Sequence, residues 1–249
     1  MTEWLLPLLP NVWQALGLIL VGVVAGVIRG LTGFGAALVI VPGLSLFLDP
    51  AHAVATSMVA IAATNIPLLT GAWKEADGRT VAVFYLGCLA ALPFGVYLLL
   101  VLPAEVLEKA IGASVIVASL LLSRPRFRLE RAGLPLKLGA GAMAGLMNGS
   151  VGMGGPPVIL LLLALPIPAA VQRASLILFF TCLNFTSVAL LAWNGLIDGQ
   201  VLVWGTVLCV PLMLAAKWGE RLFRKAGGAH FRPIAIGVLV VTGVAAILG

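Results

Sequence analysis

Acidic side chains and histidines are the scarcest chemistry in this chain: nine Asp and Glu and two His among 249 residues. That scarcity removes most of what an enzyme would use. His52 stands beside Asp49 at a helix start, and His230 stands in a basic stretch. Both read as surface residues. Cysteine is as thin. Cys88, Cys182 and Cys209 fall inside apolar runs with no metal-ligand spacing, which leaves them as small packing residues. The chain has no HExxH motif and no GxxxxGKS/T loop, so neither zinc hydrolysis nor an ATP-driven pump is expected of it. No cofactor or metal is called for, and the chain does not read as an enzyme.

Charge of either sign is scarce as well. Only 10% of the residues are charged and 61% are hydrophobic, where a soluble domain carries roughly 25% charged residues. Such a chain cannot cover itself with polar groups, so its outer solvent must be lipid. Apolar runs extend from end to end without the alternation of a β-barrel. The fold class is therefore an all-α polytopic membrane protein, with the lipid bilayer as its first partner. The first run lacks a basic leader and a cleavage site, and reads as a retained segment. A net charge of +6 would raise nucleic acid as a partner in a soluble protein. Here the basic residues lie between apolar segments, so topology accounts for them and no nucleic acid is expected.

The apolar segments are Val12–Ile28, Phe34–Leu48, Ala53–Trp73, Thr80–Leu102 and Val106–Leu122, then Leu138–Met147, Pro156–Leu165, Val171–Trp193, Val201–Ala216 and Pro233–Leu248. Five lie on each side of a basic linker, SRPRFRLERAGLPLK. This divides one integrated membrane domain into a first repeat at 1–123, a linker at 124–137 and a second repeat at 138–249. Arg124, Arg126, Arg128, Arg131 and Lys137 assign the linker to the cytoplasm, as do Lys217, Arg221, Arg224, Lys225 and Arg232 the last loop. Counting outward puts Lys74 and Arg79 inside. The stretches at 49–52, 102–105 and 194–200, which contain no Lys or Arg, fall outside, and so do both termini. A multi-pass membrane protein with its basic linker in the cytoplasm is expected.

The halves repeat one glycine-broken phrase. GVIRGLTGFGAALVI, from Gly26, returns 119 residues later as GLMNGSVGMGGPPVI, from Gly145. Gly22, Gly26, Gly30, Gly33 and Gly35 pair with Gly141, Gly145, Gly149, Gly152 and Gly154, and Asn65 pairs with Asn184. Ala72-Trp73, Asp77-Gly78 and Pro93 resemble Ala192-Trp193, Asp198-Gly199 and Pro211 with small shifts. An odd number of crossings per half turns the copies over, so the chain reads as two inverted-topology repeats. That is the sequence mark of secondary transporters, whose sites form where the copies meet. The broken segments are short: ten residues rise roughly 15 Å, half of a hydrocarbon core. Each phrase is a short crossing pair or a re-entrant pair of half-helices. The glycines spaced by four suit close helix packing. The tighter clusters suit a break in the backbone.

Candidate substrate-binding residues follow from the two breaks. Gly152, Met153, Gly154 and Gly155, ahead of Pro156, would turn free N–H groups into a cavity, and Gly33, Phe34 and Gly35 would do the same in the first copy. Arg29 is a basic side chain deep in the first break, and Asn148 is its counterpart. Arg29 either binds an anion or snorkels to the cytoplasmic surface. Thr32 and Ser150 either donate to substrate or bond back to their own helices. Asn65 and Asn184 either line the path or join helices. A small anion is the expected substrate.

Length, basic linker and duplicated glycine phrase together resemble the sulfite exporter TauE/SafE family, also called the toluene-sulfonate uptake permease family. GSVGMGGPPV is the closer match to the family pattern; the first copy departs from it at Ala36 and Ala37. The resemblance covers nearly the whole chain. It implies transport of sulfite, sulfoacetate or other sulfonates across the inner membrane, with export favoured over import. The residues alone leave a carrier working by alternating access and an anion channel both open, and the oligomeric state too, a homodimer included.

Overall fold

The computed structural model describes residues 10–32, 35–123 and 129–226. Nine helices are present among the described residues: α1 (Val12–Thr32), α2 (Ala37–Leu44), α3 (Pro50–Ala72), α4 (Gly78–Val101), α5 (Ala104–Ser123), α6 (Leu134–Val151), α7 (Gly155–Ala164), α8 (Ala169–Trp193) and α9 (Gly199–Ala226). No strand occurs among them. The expected segment Pro233–Leu248 lies outside the described residues, as do Arg124, Arg126, Arg128 and Arg232.

Two boundaries differ from the sequence reading. Helix α6 begins at Leu134, inside the stretch read as linker, because Gly133 caps it in extended backbone and a proline occupies its first turn. Lys137 broke the hydropathy there, yet its Nζ is held by Thr80 Oγ1 at 2.8 Å and the helix runs through it. Conversely, Phe34–Leu48 yields only the eight residues of α2.

Five helices are long and apolar enough to cross a bilayer: the spans Val12–Gly30, Pro50–Leu69, Gly78–Val101, Ala170–Trp193 and Gly199–Arg221. Their outward faces are apolar, with Leu16, Leu20, Leu86, Phe94, Val210 and Leu214 all exposed. Such faces suit lipid. Trp13, Trp73, Trp193 and Trp218 stand exposed near helix ends, where indoles favour the interface. Inside, one apolar cluster gathers α1, α2, α3, α5 and α9 around Trp204. A second gathers α4, α6, α7 and α8 around Phe84 and Phe179, whose rings meet edge to face at 6.1 Å.

The short helices turn back. A Cβ on Gly43 of α2 would meet Val21 of α1 at 2.8 Å, and one on Gly17 would meet the Phe47 ring at 3.0 Å. Helix α2 therefore runs antiparallel to α1. Leu129 N, just before α6, donates to Ala164 O at the end of α7 at 2.9 Å, so α7 returns to the end from which α6 set out. Both glycine-broken phrases are hairpins. The α1–α2 hairpin opens toward the end that carries Asp49, His52 and Asp198, where His52 Nε2 lies 3.7 Å from Asp198 Oδ2. The α6–α7 hairpin opens toward the other end, where Lys137 meets Thr80 and Ser175 Oγ accepts the Asp77 N–H at 3.0 Å.

Glycines hold each hairpin against a helix from the opposite half. A Cβ on Gly26 would lie 2.5 Å from Leu212 O and one on Gly22 2.8 Å from Pro211, so α1 and α9 run parallel with backbones in contact. Gly141, Gly145 and Gly149 press likewise on the Phe84, Cys88 and Leu92 carbonyls of α4. Small residues permit this approach, and in lipid dispersion between closely packed backbones replaces the missing hydrophobic drive. Gly145→Ala is expected to cost about 1–3 kcal/mol, because the new methyl collides with the backbone of Cys88. Gly139→Ala on the same helix meets nothing within 4 Å and should be neutral or slightly stabilising. Thermal unfolding of the two purified variants in detergent checks this; equal midpoints would remove the seam from the account.

Candidate functional site

Where the two hairpin tips approach, they leave a cavity of about 80 Å³. That is room for several waters or one small oxyanion. Helices α1, α2 and α3 contribute Arg29, Ala37 and Asn65; α6, α7 and α8 contribute Asn148, Pro156, Ile159, Ile177, Phe180 and Asn184; the breaks contribute Gly35, Ala36 and Gly152 to Gly155. The repeat-matched asparagines Asn65 and Asn184 thus both line it.

Helix α6 ends because Gly152 takes φ +72°, a left-handed conformation that glycine adopts without strain. Asn148 then organises the turn. Its backbone oxygen accepts the Gly152 N–H at 3.0 Å, its Oδ1 accepts the Gly154 N–H at 3.3 Å, and its Nδ2 donates to Ser187 Oγ at 2.9 Å. The Met153 N–H goes to Met147 O at 3.3 Å. This corrects the sequence reading. Three of the four amides expected to face a cavity are consumed inside the break, and Pro156 and Pro157 supply none. Only the Gly155 amide lacks an acceptor among the described residues.

The first break is built differently. Gly35 takes φ +89°, and Ala36 stands at the N-cap of α2, where it supplies no side-chain cap. The N-cap Ala36 and the first helical residue Ala37 line the cavity, so the positive end of a helix dipole faces it. Arg29 turns inward rather than snorkelling. Its Nη1 donates to Thr64 Oγ1 at 2.8 Å and its Nη2 to Asn65 Oδ1 at 2.6 Å. Both partners are neutral. Ion pairs among the described residues join only His52 with Asp49 and Asp198, and Lys109 with Glu105. Asn184 Nδ2 bonds back to Phe180 O at 2.7 Å.

Thus Arg29, Gly35, Asn65, Asn148, Gly152, Met153, Gly154, Gly155 and Asn184 are brought to one cavity. Ser150 is not among its lining residues; its Oγ donates to Leu146 O at 2.8 Å, ordinary back-bonding along the helix. Gly33, Phe34 and the Thr32 side chain lie outside the described residues. Thr64, Ile177, Phe180 and Ser187 were missed. Their signal was helical spacing: 177, 180 and 187 share a face with Asn184.

The model of the sulfite exporter TauE/SafE family matches residues 18–246, through both hairpins and every helix that lines the cavity. The chain belongs to this family. A relative from Cupriavidus necator, named "Probable sulfite/organosulfonate exporter TauE", is 29% identical over 224 residues, which cover 87% of each chain. No solved structure matches the chain. Family membership makes the protein a transporter and not an enzyme.

Asn148→Ala is expected to lower stability by about 1–3 kcal/mol, because the buried Gly154 N–H loses its acceptor and Ser187 its donor. Ser150→Ala should stay within about 0.5 kcal/mol. Denaturation of both variants against the parent separates the two asparagine bonds from the single hydroxyl.

Proposed function

We propose that the protein is a secondary transporter that exports small sulfur-containing or organic anions, sulfite or sulfonates among them, across the inner membrane. One observation carries the reading: Arg29 faces a cavity within the helical bundle and meets only neutral partners among the described residues. A lone guanidinium away from bulk water calls for a negative ion. The uncapped start of α2 adds positive potential on the same side. The C. necator relative carries a name of the same substrate class.

In this reading the halves 1–123 and 138–249 are inverted repeats joined by the cytoplasmic linker 124–137. Their matched packing supports it: α1 lies on α9 as α6 lies on α4, and the hairpins open toward opposite ends. Rocking of the halves about the cavity exposes it to each side in turn. Lys74, Arg79 and Lys137 gather at one end, while Asp49 and Asp198 gather at the other. The basic end then faces the cytoplasm and both termini face away from it. Export of an anion runs down an inside-negative potential, gaining about 2.3 kcal/mol per charge per 100 mV. No coupled ion is needed.

Arg29→Ala is expected to abolish anion-dependent thermal stabilisation and sulfite efflux from proteoliposomes, a binding loss of about 2 kcal/mol or more. Its ligand-free unfolding midpoint should hold or rise, since a costly desolvated charge is gone. Arg29→Lys keeps the charge but loses the planar fork, and should retain part of the binding. Full efflux by Arg29→Ala would overturn the assignment.

A further inference from the structure

Two hydroxyls stand behind the cavity without lining it. Thr64 on α3 and Ser187 on α8 are both buried, and neither is among the lining residues. A hydroxyl has one proton to give and two lone pairs to receive with. Each of these spends its proton on its own helix: Thr64 Oγ1 donates to Ile61 O at 2.9 Å, and Ser187 Oγ to Leu183 O at 2.8 Å. What remains is an acceptor, and a residue near a hairpin tip fills it in each half. Arg29 Nη1 donates to Thr64 Oγ1 at 2.8 Å, and Asn148 Nδ2 to Ser187 Oγ at 2.9 Å. Arg29 and Asn148 are counterparts in the two glycine-broken phrases. At the same offset Thr64 falls on Leu183, so the second half makes the matching contact one helical turn further along.

The two bonds on Arg29 are not equivalent. Asn65 Oδ1 accepts from Nη2 at 2.6 Å, and Asn65 lines the cavity, where a ligand competes for its amide. Thr64 has no proton left for an anion and no face on the cavity, so its hold on the guanidinium persists when the cavity fills. Adjacent residues of α3 thus grip Nη1 and Nη2 of one planar fork. A single bond would let the fork pivot; two fix its plane. Without that grip, a long flexible stem is free to carry the charge toward the membrane surface.

Resting on the anion reading above, we propose that Thr64 is a positioning residue for transport: it does not touch the anion, but holds the Arg29 guanidinium toward the cavity before the anion arrives. Binding then has little ordering left to do. Loss of the hydroxyl weakens binding without closing the site. Were Thr64 instead a competitor of the anion for the same N–H, its removal would tighten binding.

The test uses the full chain in lipid nanodiscs, titrated calorimetrically with methanesulfonate so that Kd and stoichiometry are read together. Thr64→Val removes the acceptor and keeps the shape. Its Kd should rise about tenfold or more, the scale of one hydrogen bond to a charged group, with stoichiometry unchanged. Thr64→Ser restores the hydroxyl and should return Kd to within about threefold of the parent. Thr56→Val is the control: Thr56 Oγ1, also buried on α3, meets no partner among the described residues, and its loss should leave Kd alone. An unchanged or tighter Kd in Thr64→Val overturns the inference. So does a lower stoichiometry at the parent Kd, the mark of a residue that only supports the fold. Thr64→Ser binding as weakly as Thr64→Val, or Thr56→Val shifting Kd as far, overturns it as well. In those cases the anion reading stands while the parent binds and Arg29→Ala does not. A parent that binds no methanesulfonate, or Arg29→Ala binding it as the parent does, overturns both.

Discussion

Backbone contact at two glycine seams underlies the rest of the molecule. Gly22, Gly26 and Gly30 let α1 touch the carbonyls and side chains of α9, and Gly141, Gly145 and Gly149 let α6 touch those of α4. Burying apolar surface gives little in lipid, because the alternative solvent is also apolar. Helices are joined there by contact density. A single methyl at the seam would force them apart and carry the hairpin with it. Each hairpin is fixed by the half of the chain it does not belong to, so the position of one break depends on the packing of both halves.

The seams bring two unlike hairpin tips to one cavity. The second tip is bonded within itself but for the Gly155 amide: Asn148 takes the place of a backbone acceptor, and two prolines start the next helix without donors. The first is electropositive and incompletely bonded. Arg29 leans on Thr64 and Asn65, and the Asn65 N–H finds no acceptor among the described residues. One common ancestral phrase would account for the shared glycines. The divergence at Arg29 and Asn148 then separates a face that attracts charge from a face that holds shape. A transport site needs both, because an ion bound by charge alone is released slowly and one bound by shape alone is not drawn from water.

Much of this was legible in the chain. The nine described helices fall on nine of the ten apolar segments, and the glycines spaced by four pack as their spacing implied. Gly152 and Gly35 break the backbone as expected of clustered glycines. Less legible was the fate of the polar atoms. The amides of Gly152 to Gly154 were expected to face a ligand and instead bond within the break, because Asn148 sits one turn back with its oxygen in reach. Lys137 looked like the end of a linker, since hydropathy cannot see that Thr80 on another helix receives its ammonium group. Residues 177, 180 and 187 carry no motif, and only the facing of α8 makes them part of the site.

Composition and period settled what kind of molecule this is. Too few charges to face water require lipid outside, and a continuous polar backbone in lipid requires helices. These are properties of the chain that any arrangement of its segments would share. Whether the broken segments cross or turn back, which amides remain free, and that Arg29 faces Asn148 and Asn184 across one cavity were decided by tertiary packing. Those outcomes depend on contacts between residues far apart in sequence. A local pattern names the donors and acceptors but not which of them will find each other first.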